Sequence, residues 1–122
     1  MGRSVAQFLL PGATAAKVLQ IATSYAQEKR MIVDAAFPDH VELHLGSGWW
    51  TGRKLFTVAA WDGPQGAVVQ IQAWVSAFMM ADVNVNPAEF IGMIPRREGW
   101  RLSTEFVRRL GISQPEPLFH HG

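Results

Sequence analysis

Two histidines and a glutamate occupy alternate positions of one short segment, as His40, Glu42 and His44. If the segment is a strand, the three side chains lie on one face, with neighbours about 7 Å apart. Imidazole and carboxylate groups at that spacing can hold a metal such as zinc or transfer protons. The same alternation is typical of the solvent-facing half of an amphipathic strand. We favour this second interpretation and expect no bound metal.

A glycine-rich segment, residues 46–53, carries the hydroxyl groups of Ser47 and Thr51. Backbone amides in such a segment can bind an anion, and Arg53 or Lys54 can assist. The segment matches neither the phosphate-binding loop nor the dinucleotide-binding fingerprint, and it precedes a predicted strand rather than a helix. We therefore interpret it as a connection between two strands.

Residue patterns for catalysis are scarce in this chain. It has no cysteine, which excludes thiol catalysis and cysteine-ligated metals. No serine lies in a Gly-x-Ser-x-Gly elbow, and the ten acidic residues are scattered singly. We predict no catalytic residue and no cofactor, so the sequence favours a protein that is not an enzyme.

Arginines are concentrated in the C-terminal third of the chain. A phosphate-binding surface there would use Arg97, Arg101 and Arg108. Helical spacing also pairs Glu105 with Arg101 and with Arg109, which accounts for much of the cluster. Nucleic-acid surfaces interleave aromatic rings with basic groups, and a net charge of +1 gives little long-range attraction. We expect a solvated helix surface and keep nucleic-acid or anionic-surface binding as a second alternative.

Composition limits the class of protein. The 122 residues are 48% hydrophobic and only 17% charged, against about 25% charged in a soluble domain. This excludes intrinsic disorder. No apolar run reaches the roughly 18 residues of a membrane span, and the first apolar stretch is too short for a signal peptide. The sequence therefore predicts a cytoplasmic protein.

Residue periodicity predicts the secondary structure of the first two thirds of the chain. Apolar residues at spacings of three and four predict a helix over residues 14–30, with Thr14 as its N-cap. Residues 62–66 predict a five-residue hairpin loop. The predicted strands are Val5–Leu10, Met31–Phe37, His40–Leu45, Lys54–Trp61 and Ala67–Ser76.

The C-terminal third predicts helices and a tail. A short helix is expected over Pro87–Met93 and must end at Pro95, because the residue before a proline avoids helical angles. A last helix is expected from residue 97 or 98 to residue 110. Residues 1–112 would then form a single α+β domain, and residues 113–122 a flexible tail.

These elements follow the order β-α-β-β-β-β-α-α. Helices separated from a run of strands are typical of an α+β fold. We expect a curled antiparallel sheet of about four to five strands, with the N-terminal helix and the C-terminal helices packed on one face.

The hairpin strands carry apolar residues on both faces, with Phe56 and Val58 on one and Leu55 and Ala59 on the other. Two helices cover only one face, and monomers rarely expose a large apolar patch. Tryptophan is favoured where apolar surface meets water, at interfaces and in pockets. The candidate ligand or interface residues are Trp49, Trp50, Arg53, Trp61 and Trp74.

The sequence therefore predicts a non-catalytic interaction module that self-associates, as a dimer, through a Trp-lined sheet face. One alternative is a small-molecule-binding protein or enzyme. It would hold an apolar molecule between the sheet and the C-terminal helices, with Glu42, His44 and Arg53 as polar anchors. A further possibility is that residues 77–85 fold over the second face and close an ordinary core.

Overall fold

The structure, a computed structural model, describes residues 2–46, 52–77, 80–89 and 93–122, with only the backbone of residues 77, 80 and 81. Within these residues the chain forms seven strands, two α-helices and one 3-10 turn. In chain order they are β1 (Ser4–Pro11), α1 (Ala15–Glu28), β2 (Ile32–Ala36), β3 (His40–Leu45), β4 (Arg53–Gly63), β5 (Gly66–Ala77), β6 (Met80–Asn84), α2 (Met93–Arg109), the 3-10 turn Glu116–Leu118 and β7 (Phe119–His121).

All strands join one antiparallel sheet, in the order β2-β3-β4-β5-β1-β7, with β6 also paired to β5. One edge of β5 pairs with β4, and its other edge is shared between β1 and β6. β1 pairs with it as far as Ala73, and β6 pairs with it from Trp74 onward. The sheet therefore divides at this point of β5, and the division places the ends of three strands close together.

One face of the sheet carries the core. Alternate residues of β4 and β5, including Val58, Val69 and Ile71, are fully buried beneath the two helices. Phe106 of α2 lies at the centre, with its ring centroid 5.3 Å from that of Phe56 and 5.5 Å from that of Tyr25. This packing confirms the α+β architecture, with helices on one face of an antiparallel sheet.

Local sequence explains where α1 begins and how the β4–β5 hairpin closes. Thr14 caps α1, because its Oγ1 accepts a hydrogen bond from the backbone N–H of Lys17 at 3.2 Å. Gly63 pairs with Gly66, so the turn has two residues rather than the five that the sequence predicts. A Cβ at Gly66 would lie 2.3 Å from the carbonyl oxygen of Leu10, so a side chain there would push β1 away from the hairpin.

The strand count of four to five is wrong, because β6 and β7 were not predicted. β6 begins within the apolar stretch of residues 77–81, which has no clear periodicity in the sequence. β7 lies within the segment 113–122 that the sequence assigns to a flexible tail. The last helix begins at Met93, earlier than predicted, and includes Pro95 in its first turn. Proline is tolerated there because first-turn N–H groups have no acceptor within the helix.

The short helix predicted over Pro87–Met93 is also wrong in its described part. Residues 87 and 88 form a turn, closed by a hydrogen bond from the N–H of Glu89 to the carbonyl oxygen of Asn86. The asparagine does cap this turn, since its Oδ1 accepts from the N–H of Ala88 at 3.0 Å. Of the two helices in the described part, neither has the length and apolar content needed to cross a bilayer.

Candidate functional site

The face of the sheet opposite the helices is the first candidate surface, and we call it the open face. Strand alternation and register place on it the residues between the buried ones. Within the described part of the chain, both helices pack on the other face. The open face comprises Ile32 of β2, His40, Glu42 and His44 of β3, Arg53, Leu55, Thr57, Ala59 and Trp61 of β4, Val68, Gln70, Gln72 and Trp74 of β5, and Val5, Gln7 and Leu9 of β1.

The structure brings three of the five predicted interface residues onto this face. Trp61 is 44% exposed, and Val68 lies directly opposite it on β5. Trp74 is only 9% exposed, because the guanidinium carbon of Arg3 lies 3.8 Å from the centroid of its ring. Arg53 is exposed at the start of β4, at the opposite end of the strand from Trp61. Trp49 and Trp50, together with Ser47 and Thr51, lie outside the described residues.

Residues 80–84, which the sequence left as a possible cover for this face, form β6 beside β5. Their backbone extends the sheet instead of crossing it. Val85, which follows, is fully buried on the helix side, where its side chain lies against Gly99 of α2. The described part of this segment therefore leaves the open face uncovered.

The histidines and the glutamate of β3 share the open face, as the alternation predicts, but each histidine has its own carboxylate. His40 Nδ1 lies 2.8 Å from Asp39 Oδ1, and its Nε2 lies 3.4 Å from Glu42 Oε2. His44 Nδ1 lies 2.7 Å from Asp34 Oδ2 across the β2–β3 pairing. In the described part of the chain, no group of three His, Asp or Glu side chains is arranged to hold a metal ion.

The hydrogen bond to Asp39 is the main cause of a raised pKa of His40, and Glu42 acts in the same direction. The same bond lowers the pKa of Asp39. The ring of Phe37 stacks on His40, with centroids 4.6 Å apart. These contacts describe a charged, hydrogen-bonded rim beside β2. Because Glu42 and His44 point away from the helices, they do not reach the space between the sheet and α2.

Lys54, the neighbour of Arg53, is on the helix face and is 4% exposed. Its Nζ lies 3.1 Å from Glu98 Oε1 of α2. This ion pair joins the end of β4 to the first half of α2. The two basic residues that the sequence grouped as anion ligands therefore lie on opposite faces of the sheet.

Ion pairs account for part of the arginine cluster. Arg108 pairs with Glu116 of the 3-10 turn, and Arg109 forms two hydrogen bonds to the carboxylate of Glu28 on α1. Arg97 and Arg101 are exposed on α2. Of the three predicted phosphate ligands, Arg108 is thus engaged with a carboxylate, and the other two are exposed.

A second candidate site, which the sequence did not reveal, lies where the sheet divides beside β5. We call it the strand junction, formed by Ser4, Asn84, Arg96 and His121. Ser4 is fully buried, and its Oγ accepts a hydrogen bond from the N–H of Val85 at 3.0 Å. The Ser4 hydroxyl is 2.6 Å from His121 Nδ1. Arg96 Nη1 donates to Asn84 Oδ1 at 3.2 Å.

Burial lowers the pKa of His121, and the charges of His120 and Arg96 add to this effect. Sequence reasoning missed the junction because its four members come from β1, β6, α2 and β7. Two of these elements were not predicted as elements at all. Of its four residues, only Arg96 belongs to a pattern that the sequence analysis noted, the concentration of arginines in the C-terminal third.

No protein-family model matches the chain, and a search of curated proteins found no match.

Proposed function

We propose that this protein is a non-catalytic interaction module that forms dimers through the open face of its sheet. One observation carries the proposal: the face opposite the helices bears large apolar side chains that stay accessible. Leu9 is 41% exposed and Trp61 44% exposed, and Val68 lies between them in the register. An apolar row that crosses three strands is typical of a surface that meets a partner.

The chemistry of the middle of the open face supports a second copy of the same chain as the partner. Gln7 and Gln70 lie side by side on β1 and β5, next to Ala59 of β4, and none of the three is charged. In a twofold interface a surface meets its own copy, so a charged centre would repel itself. Glutamine amides both donate and accept hydrogen bonds, so each can pair with an identical group. The charge of Arg3 lies beside Gln72 and Trp74, that of Arg53 at the first position of β4, and that of Glu42 on β3.

The size of the face is compatible with a dimer of moderate affinity. Five strands at a spacing of ~4.8 Å and about eight residues at ~3.3 Å give a projected area on the order of 600 Å². A stable interface buries about 800 Å² on each partner. The open face is therefore near the lower end of what specific association requires.

Sedimentation equilibrium of two charge-introducing variants tests the proposal. Trp61→Glu places a carboxylate in the apolar row, and we expect it to raise the dimer dissociation constant about tenfold or more, since buried tryptophans dominate interface energetics. Ile94→Glu is the matched control, because Ile94 is 74% exposed on α2, away from the open face. We expect it to leave dimerisation unchanged.

A monomeric wild-type protein over a wide concentration range would overturn the proposal. So would a dimer whose dissociation constant is equally insensitive to both substitutions, because its interface would then lie elsewhere. Circular dichroism verifies that each variant keeps its secondary structure, so that any loss of dimer results from the changed surface and not from unfolding.

A further inference from the structure

Within the described part of the chain, Arg96 is a buried charge without a carboxylate partner. Its side chain comes from the first turns of α2, and the residue is only 7% exposed. A guanidinium group stays protonated throughout the physiological pH range, so burial cannot neutralise it. All ten acidic residues of the chain lie in its described part, and none forms an ion pair with Arg96 there.

The hydrogen bonds of Arg96 do not compensate for this charge. Its described bond is from Nη1 to the neutral amide oxygen of Asn84. Its Nε–H is buried and, among the side-chain atoms that the structure describes, is the one buried polar atom without a hydrogen-bond partner. A buried donor left unpaired is unfavourable, and a charged one more so.

A further feature makes the strand junction electropositive. The first turn of α2 contains no acidic residue to balance the positive end of the helix dipole. Asn84, which accepts from Arg96 Nη1, also donates to the carbonyl oxygen of Gly122, so the junction connects Arg96 to the residue after His121. We infer that the strand junction binds a small oxyanion, a carboxylate or phosphate group, through the Nε–H of Arg96.

His121 supplies a second donor to such an anion. Ser4 Oγ accepts from the N–H of Val85, and we assign its hydroxyl hydrogen to His121 Nδ1, which lies 2.6 Å away. Nδ1 is then the acceptor of the neutral ring, and Nε2 carries the proton. Trp100 holds the ring from one side, with centroids 5.3 Å apart. In this proposal Arg96 of α2 and His121 of β7 both donate to the anion, independently of the open face and of dimerisation.

Titration with inorganic phosphate and with acetate tests this inference on the intact protein. Chloride is exchanged for each anion at constant ionic strength, and the His121 ring is followed by NMR while thermal unfolding is measured. We expect saturable shifts of the His121 ring signals and an upward shift of the His121 pKa. The midpoint temperature of thermal unfolding should rise with the anion concentration. Saturation by phosphate alone assigns a phosphate-bearing ligand, and saturation by acetate alone a carboxylate. A response to neither anion overturns the inference.

Neighbouring arginines provide matched variants. Arg96→Lys keeps the charge but loses the Nε–H, and we expect it to weaken anion binding about tenfold. Arg97→Lys, at the exposed next position of α2, is expected to change the affinity less than twofold. Equal affinities for the two variants would contradict the assignment. If Arg96→Lys does not fold, saturable His121 shifts in the wild-type protein remain decisive.

Discussion

At the scale of single residues, His40 and His121 show how surroundings set opposite titration behaviour. His40 is on the surface, where the hydrogen bond to Asp39 stabilises its protonated form and raises its pKa. His121 lies in the strand junction, where burial lowers its pKa below the usual value of a histidine. The same side chain therefore stabilises the fold when protonated at one position and when neutral at the other.

The lowered pKa of His121 predicts a pH-dependent loss of stability. Below about pH 6.5 the unfolded chain binds more protons at this residue than the folded chain. The contribution of His121 is thus fully present above pH 6.5 and is lost as the pH falls through the folded pKa. His40 acts in the opposite direction, so a comparison of variants is needed to isolate either residue.

Urea unfolding between pH 5 and pH 8, in a chloride buffer, measures this effect. We expect His121→Asn to show a smaller decrease in unfolding free energy on acidification than the wild-type protein. His120→Asn is the comparison, because it removes a charge that adds to the lowering of the His121 pKa but leaves burial, the main cause, in place. It should therefore change the slope less than His121→Asn does. Identical slopes for all three proteins would contradict the account of His121.

At the scale of elements, the chain tail is held by β7 and the 3-10 turn. Phe119 pairs with Ala6 of β1, is 7% exposed, and has its ring centroid 5.2 Å from that of Trp100. Arg108 of α2 pairs with Glu116 in the 3-10 turn that precedes β7. These contacts connect the last residues to the sheet and to α2, and they also place His121 in the strand junction.

Phe119→Ala is expected to destabilise the protein by about 3 kcal/mol, the loss typical of removing a buried aromatic ring. His120→Ala, at the adjacent exposed position, should change the free energy of unfolding by less than about 0.5 kcal/mol. Urea unfolding followed by circular dichroism measures both. An effect of Phe119→Ala as small as that of the control would mean that the tail does not contribute to the fold.

Sequence patterns predicted the elements that have strong local signals. The cap at Thr14 and the alternation over His40–Leu45 gave α1 and β3 nearly their observed bounds. β6 and β7 have no such signal, because β6 begins in an aperiodic apolar stretch and β7 has three residues. Their pairing depends on partners distant in the chain, so only the assembled sheet specifies them.

The candidate sites show the same contrast between local patterns, which the sequence reveals, and contacts between distant residues, which it does not. Alternation placed Trp61 and Trp74 on the less apolar faces of their strands, because a strand has a fixed period, whereas Arg53 was predicted to lie in the connection before the strand. It did not predict that Arg3 covers Trp74, a contact between residues far apart in the chain. The strand junction requires four elements to meet, and two of them were unpredicted. Its most informative property, a buried arginine without a carboxylate, becomes visible only in three dimensions.

At the scale of the whole molecule, one layer of helices covers one face of a wide sheet. The helix side contains the core, including the fully buried Phe106 and Val58. The open face has an apolar row at one end and uncharged glutamines at its centre. An association of two copies through this face would cover the one face of the sheet that the two helices leave exposed.

An isotope-filtered NOE experiment on an equal mixture of labelled and unlabelled protein tests this arrangement most directly. We predict particles of twice the 13.5 kDa chain mass, with NOEs between copies from the methyl groups of Leu9 and Val68 and none from Ile94. Particles of 13.5 kDa at NMR concentrations, or NOEs between copies confined to the helices, would contradict it.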